Sequence, residues 1–259
     1  MSDEMRAWQT VLRSVESDLL SGALAPGDHL PGERAIAADL GVGRSSVREA
    51  LRVLEVLGLI RTATGSGPSS GAIIVSTPRG GMSALLRLQV AASGFDVSDI
   101  VDTRLVLETA VAATLAERHG TALDPDLTES AGLLDAMEDA SLTPADFLAL
   151  DARFHVSLAE AAGNQVIVAT MAGLRDSIEG YVVAGVPSLP SWPDAATRLA
   201  SEHRRILAAI RAGDPVAART LVHDHITGYY AQTGLAEHSA PPPASPRPTD
   251  RTPTEGPIA

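Results

Sequence analysis

The stretch GVGRSSVREALRVLEVLGLI, residues 41–60, decides how the first third of the chain folds. Gly41 stops a short helix predicted over Glu33 to Leu40, and a second helix is predicted from Arg44 to Leu57, ended by Gly58. Val47, Leu51 and Leu54 give this second helix an apolar face, while Arg44, Arg48 and Arg52, spaced four apart, line the opposite one. Ser45 and Ser46 add hydroxyls at its start. Taken alone, the stripe also fits a solvated surface helix whose arginines pair with Glu49 and Glu55. The flanking segments weigh against that. Upstream, residues 6–20 carry Val11, Leu12, Val15 and Leu19 on one side of a helix, and Gly22, Pro26 and Gly27 then turn the chain. Downstream, LIRTA (59–63) and GAIIV (71–75) flank TGSGPSS (64–70) and read as a hairpin with a loose tip. Three helices and a hairpin make a winged helix-turn-helix, whose second motif helix enters the DNA major groove and presents its N-terminal residues to base edges.

The overall charge argues the other way. The chain of 259 residues has a net charge of −12, and an acidic surface repels nucleic acid. The charge is unevenly spread, however: residues 1–77 hold 7 arginines against 9 acids, residues 78–236 hold 11 against 20. A nearly neutral front segment can still present a small basic face. All 20 basic residues are arginine, and the chain has no cysteine, so disulfides and thiolate metal sites are excluded and a metal would need His, Asp or Glu. No run approaches the roughly 18 apolar residues of a membrane span, and MSDEMRAWQT lacks the profile of a secretory signal. The expected compartment is the cytoplasm, with no membrane partner.

Composition divides the rest. STPRGGMSA (76–84) is rich in Ser, Pro and Gly and separates a front domain, 1–77, from a second domain, 85–232, with 78–84 as linker. Residues 233–259, which contain EHSAPPPASPRPTDRTPTEGPIA with its seven prolines, are predicted to be a disordered tail. Between them, apolar residues recur at helical spacing over 82–92, 97–118, 127–140, 144–162, 165–183, 194–212 and 214–232, with Asp214-Pro215 as a start signal. The expected fold is mainly α: a winged helix-turn-helix followed by an all-α bundle of six or seven helices.

Six polar residues interrupt the apolar stripes of that bundle: Arg104, Glu108, Asp151, His155, His203 and His225. Polar groups are costly to bury unpaired, so several converging on one interior mark a site. Asp151 and His155 are four apart and share a helix face, and His203 and His225 complete a set of one carboxylate and three imidazoles fit for Zn, Ni or Mn. His223 lies two residues from His225 and points away; Asn164 reads as a helix cap or, alternatively, as an effector contact. A lone histidine in an apolar stripe is more often an ordinary core residue, and hydrogen bonding among buried His and Asp remains an alternative reading of the set.

Two resemblances sharpen these expectations. LLSGALAPGDHLPGERAIAADLGVGRSSVREALRVLEVLGLI resembles the DNA-binding domain of the GntR family of bacterial transcriptional regulators, over residues 8–77. That likeness implies DNA contacts from Arg34, Arg44, Ser45, Ser46 and Arg48. DARFHVSLAEAAGN and EHRRILAAIRAGDPVAARTLVHDH resemble the FCD ligand-binding domain of the FadR subfamily, over about 82–232. This implies a metal at Asp151, His155, His203 and His225, and an effector carboxylate near Arg104. The expected function is a homodimeric, metabolite-responsive regulator, a repressor, that binds a pseudo-palindromic operator and is not an enzyme. The alternative is a metal-dependent enzyme acting on a small organic acid through the same His/Asp site, against which stands the lack of an H-E-x-x-H or of an acid poised beside the ligands.

Overall fold

The computed structural model of the protein describes residues 6–63, 71–75, 80–92 and 95–234. The expected wing tip, the first part of the linker and the Pro-rich tail beyond Gly234 lie outside them. In the front segment, α1 (Ala7–Ser21), α2 (Glu33–Leu40) and α3 (Arg44–Val56) precede the antiparallel strands β1 (Ile60–Ala63) and β2 (Gly71–Ile74), paired Ile60 to Ile74. Val11, Ile36, Val47 and Ala50 bury the junction of the three helices, and Val15, Leu54, Ile60 and Ile74 bury the helix–hairpin contact. The turn after α1 does more than reverse the chain: Leu30 N–H donates to the Ala72 carbonyl and Asp28 accepts from Ile74 N–H, so residues 27–30 run along the free edge of β2. The sequence reading had only a turn there.

Seven helices follow: α4 (Gly80–Ala91), α5 (Val97–Arg118), α6 (Thr128–Met137), α7 (Pro144–Ala162), α8 (Gln165–Gly185), α9 (Trp192–Arg211) and α10 (Pro215–Thr233). Residues 80–84, expected as linker, are already helical. Local signals set several starts. The side chains of Thr143, Asn164, Ser191 and Asp214 each accept amide hydrogen bonds at a helix N-terminus, and Pro144 and Pro215 occupy first positions where a missing N–H costs nothing. Asn164 is thus a cap, as its position after Gly163 indicated.

The 22-residue helix α5 packs against α7, α8, α9 and α10. Around it Leu115, Phe154, Ile178, Leu199, Ile206 and Ile226 form the apolar core. Helix α4 lies between the two halves and meets each of them at a glycine. A Cβ on Gly81 would stand 2.3 Å from the carbonyl oxygen of Leu57, the C-cap of α3, and one on Gly173 of α8 would stand 2.8 Å from Leu86 and 3.3 Å from the Ser83 backbone.

Candidate metal centre and nucleic-acid interface

On α3, the arginine stripe faces outward, with the Arg44 and Arg48 side chains 61% and 52% exposed. Their acidic partner is Glu33, on the first turn of α2, rather than Glu49 or Glu55. Arg48 Nε and Nη2 both donate to the Glu33 carboxylate, at 2.9–3.1 Å, and Arg44 Nη2 lies 3.7 Å away. The hydrogen bond from Arg48 holds the Glu33 carboxyl below its usual range. The fork fixes one edge of the Arg48 guanidinium and leaves Nη1 for another acceptor. Glu55 instead accepts from the backbone N–H and the hydroxyl of Thr62 on β1. Arg34 and Ser45 are exposed, Ser46 half-buried. Gly43 caps α3 without a side-chain bond, so the positive end of the helix dipole is open at this surface.

In the helical half, Asp151, His155, His203 and His225 come together from α7, α9 and α10, with one ligand atom of each within 4.8 Å of all the others. The three Nε2 atoms are 3.1–3.3 Å apart, and Asp151 Oδ1 is 2.9 Å from that of His203. Ligand atoms about 2.0–2.2 Å from a common ion sit about 3.0–3.5 Å from each other, so these spacings suit one small divalent cation. The surrounding carboxylates supply an independent test. His155 Nδ1–H donates to Glu108 at 2.6 Å and His225 Nδ1–H to Glu202 at 2.8 Å, because an ionised carboxylate only accepts. In the neutral rings both Nε2 atoms are then bare lone pairs facing one another; a cation relieves both, whereas an Nε2–H on His203 answers at most one of them. His203 Nδ1 is buried with no hydrogen-bond partner. The donor set therefore fits a metal. His223, exposed beside Asp224, takes no part.

Glu108 is the pivot of the buried charges. Arg104 Nε donates to it at 2.7 Å and Arg175 Nη2 at 3.1 Å, and all three side chains are almost fully buried. Burial alone would raise the Glu108 carboxyl, but the flanking Arg104 and Arg175 hold it well below the usual range. Arg175 Nη1 also donates to Asp151 Oδ2 at 2.9 Å, and Arg104 Nη1 to Tyr230 Oη at 2.7 Å. Beside this network a cavity of about 50 Å³ is lined by Arg104, Asp151, Arg175, His225, Tyr229 and Tyr230, with Leu148, Ile178 and Leu199 as apolar wall. At roughly 10–15 Å³ per water, it holds about three to five waters or a small acid. Arg104, near which the resemblance implied an effector carboxylate, lines the cavity and is already held by two partners. Arg175, Glu202 and Glu33 were not singled out from the sequence; Arg175 carried the same signal as Arg104, a charge on an apolar stripe formed with Val168, Met171 and Ile178.

These protonation states predict a pH dependence for the metal-free protein. Burial and Arg175 depress His155 from 6.5 to about 3, and burial and His225 depress His203. Both contribute stability that is present above their unfolded value of 6.5 and drains as pH falls, for His155 until about 3. His225 runs oppositely: burial lowers it, but Asp151 and Glu202 raise it overall, so its contribution is full below the unfolded value and lost as pH rises. With two groups against one, stability in chelator is expected to fall by on the order of 1 kcal/mol between pH 7.5 and 5.5. Urea midpoints measured at the two pH values check this, and a midpoint that rises on acidification contradicts it.

Comparison with known proteins agrees with both halves. Residues 8–68 match the model of the bacterial regulatory proteins of the gntR family, and residues 99–228 match the FCD domain. The chain is 30% identical to the Glc operon transcriptional activator of Escherichia coli K12 over 230 residues, 87% of this chain and 89% of the relative. It is 29% identical to the HTH-type transcriptional repressor NanR of Cronobacter sakazakii, over 86% of this chain and 84% of that one. Among solved structures, the Streptococcus agalactiae GntR protein superposes with a TM-score of 0.57 at 29% identity, covering 86% of this chain and 98% of its own. Among the described residues no helix is long and apolar enough to cross a membrane. Arginines displayed on an α3 of this architecture, ahead of a helical domain with these matches, place the chain in the GntR family, in the FadR subfamily with a C-terminal FCD domain: it is a DNA-binding transcriptional regulator, not an enzyme.

Proposed function

We propose that the chain works as a cytoplasmic homodimer in which residues 1–77 bind a pseudo-palindromic operator and residues 85–232 bind a divalent metal, Zn or Ni with Mn also fitting, together with a small carboxylate. Asp151, His155, His203 and His225 hold the metal. The observation that carries this reading is the convergence of three buried Nε2 atoms, two of them fixed as lone pairs by Glu108 and Glu202. Bound there, the ion offers a Lewis-acidic position for a carboxylate oxygen. Arg104, on the cavity wall, supplies a cation for the same ligand. Dimerisation follows from the two-fold symmetry of helix-turn-helix operators, with the two α3 helices one helical turn of DNA apart.

At the DNA, Arg48 reaches a base edge, buttressed by Glu33, while Arg34, Arg44, Ser45 and Ser46 hold phosphates and neighbouring groups. Repression is the sign assigned, because occupying an operator suffices for it and no surface for contacting polymerase is needed. The ligand acts by favouring one arrangement of the two recognition helices over another, which requires different affinities for the two.

Fluorescence anisotropy on fragments of the chain's own upstream region, with and without Zn and a panel of small acids, tests the reading. Saturable binding that an acid shifts only when metal is present supports it; failure to bind any such fragment under any condition overturns it. Arg48→Ala is expected to weaken binding by about 1–3 kcal/mol, roughly five- to 150-fold, with the metal content unchanged.

A further inference from the structure

We propose that Arg175 sets the charge of the ligand: it anchors a second anionic group, so that the cavity selects a short dicarboxylate over the matching monocarboxylate. This rests on the metal-and-carboxylate reading above and goes beyond it by assigning a residue and a ligand class.

The buried charges about the cavity balance without a ligand. Arg104 and Arg175 face Asp151 on the wall and Glu108 behind it, and the imidazoles are neutral when they ligate; Glu179, which also lines the cavity, is exposed, so solvent screens its charge. A divalent cation adds two positive charges to a buried, largely apolar enclosure, where uncompensated charge is costly. One carboxylate on the metal leaves a surplus of one; a second negative group removes it.

Between the two guanidiniums, the surplus falls on Arg175. Neither partner of Arg104, Glu108 at 2.7 Å or the Tyr230 hydroxyl at 2.7 Å, belongs to the metal-ligand set. Arg175 depends instead on Asp151, through Nη1 at 2.9 Å, and Asp151 is itself one of the four metal ligands. Charge that Asp151 donates to the ion is withdrawn from Arg175. Its second partner, Glu108, is shared with Arg104 and His155. In addition, Arg175 Nε is buried without a hydrogen-bond partner, an unsatisfied donor on a side chain that lines the cavity. An acceptor on the ligand answers both deficits. The volume suits an acid of three or four carbons.

L-malate and L-lactate differ by one carboxylate and serve as the matched probes. Isothermal titration of each into the Zn-loaded full-length chain is expected to give malate an advantage of about tenfold or more. Arg175→Lys, which keeps the positive charge but lacks the fork, is expected to keep Zn at one equivalent and to lose most of that advantage, with lactate affinity changed by less than about threefold. Arg175→Gln, if it folds, is expected to abolish the advantage. Equal binding of the two acids by the unaltered protein overturns this proposal and leaves the carboxylate reading intact. So does a malate preference that survives in Arg175→Lys. Binding of neither acid nor of any short homologue to the Zn-loaded protein overturns both.

Discussion

Glu108→Gln is expected to destabilise the helical domain by about 3–5 kcal/mol, the range for removing one partner from a buried ion pair. Glu108 compensates Arg104 and Arg175 and accepts from His155, in a place where each side chain is almost fully buried. The amide retains the shape but not the charge, so two guanidiniums and an imidazole are left around a neutral group. Burial penalises them without return. Urea unfolding followed by circular dichroism at pH 7 in chelator measures the effect apart from metal binding. A loss below about 1 kcal/mol would mean that cavity water, rather than Glu108, satisfies the arginines.

His203→Ala is expected to lower Zn affinity a hundred- to thousandfold while leaving metal-free DNA binding close to that of the unaltered chain. Four-ligand Zn sites hold the ion with about 10–16 kcal/mol, so one ligand in four carries about 3–4 kcal/mol. His203 is the ligand whose Nε2 meets the Nε2 atoms of both other histidines and Asp151 Oδ1. Its side chain is wholly buried against Phe154, so a cavity penalty accompanies the metal loss, and competition titration with a chromogenic chelator separates the two. Retention of a full equivalent of tightly held Zn by the variant would remove His203 from the site.

Much of this was legible in the chain because periodicity reports which side of a helix is inside. The stripe around Leu199, Ile206 and Ile210 puts His203 indoors, and the same holds for His155 beside Phe154 and for His225 beside Val222 and Tyr229. Start signals such as Asp214-Pro215 fixed boundaries to within a residue or so. Periodicity is silent on which helix faces which. Glu202 adjoins His203 in sequence but serves His225 on α10, and only the packing of α9 against α10 creates that pair. Glu33 meets Arg48 across the turn of the front domain for the same reason. Spacing alone offers the arginines of α3 acidic partners only on their own helix, Glu49 and Glu55, and the partner comes from the preceding one. Residues 27–30 joined the hairpin edge through backbone bonds that carry no side-chain pattern.

The two glycine contacts of α4 leave that rod little slack. At Gly81 it abuts the carbonyl of Leu57, at the end of α3, and at Gly173 it lies close on α8, two residues before Arg175. At Gly81 the neighbour is backbone, with no rotamer to change; at Gly173 the nearest atom is Leu86 Cδ1, which can turn, with the Ser83 backbone just behind it. A slide of α8 along the cavity wall is therefore taken up first by Leu86, and one larger than that side chain absorbs passes to α4 and, through Gly81, to the end of α3, since a close-packed interior does not tolerate a void.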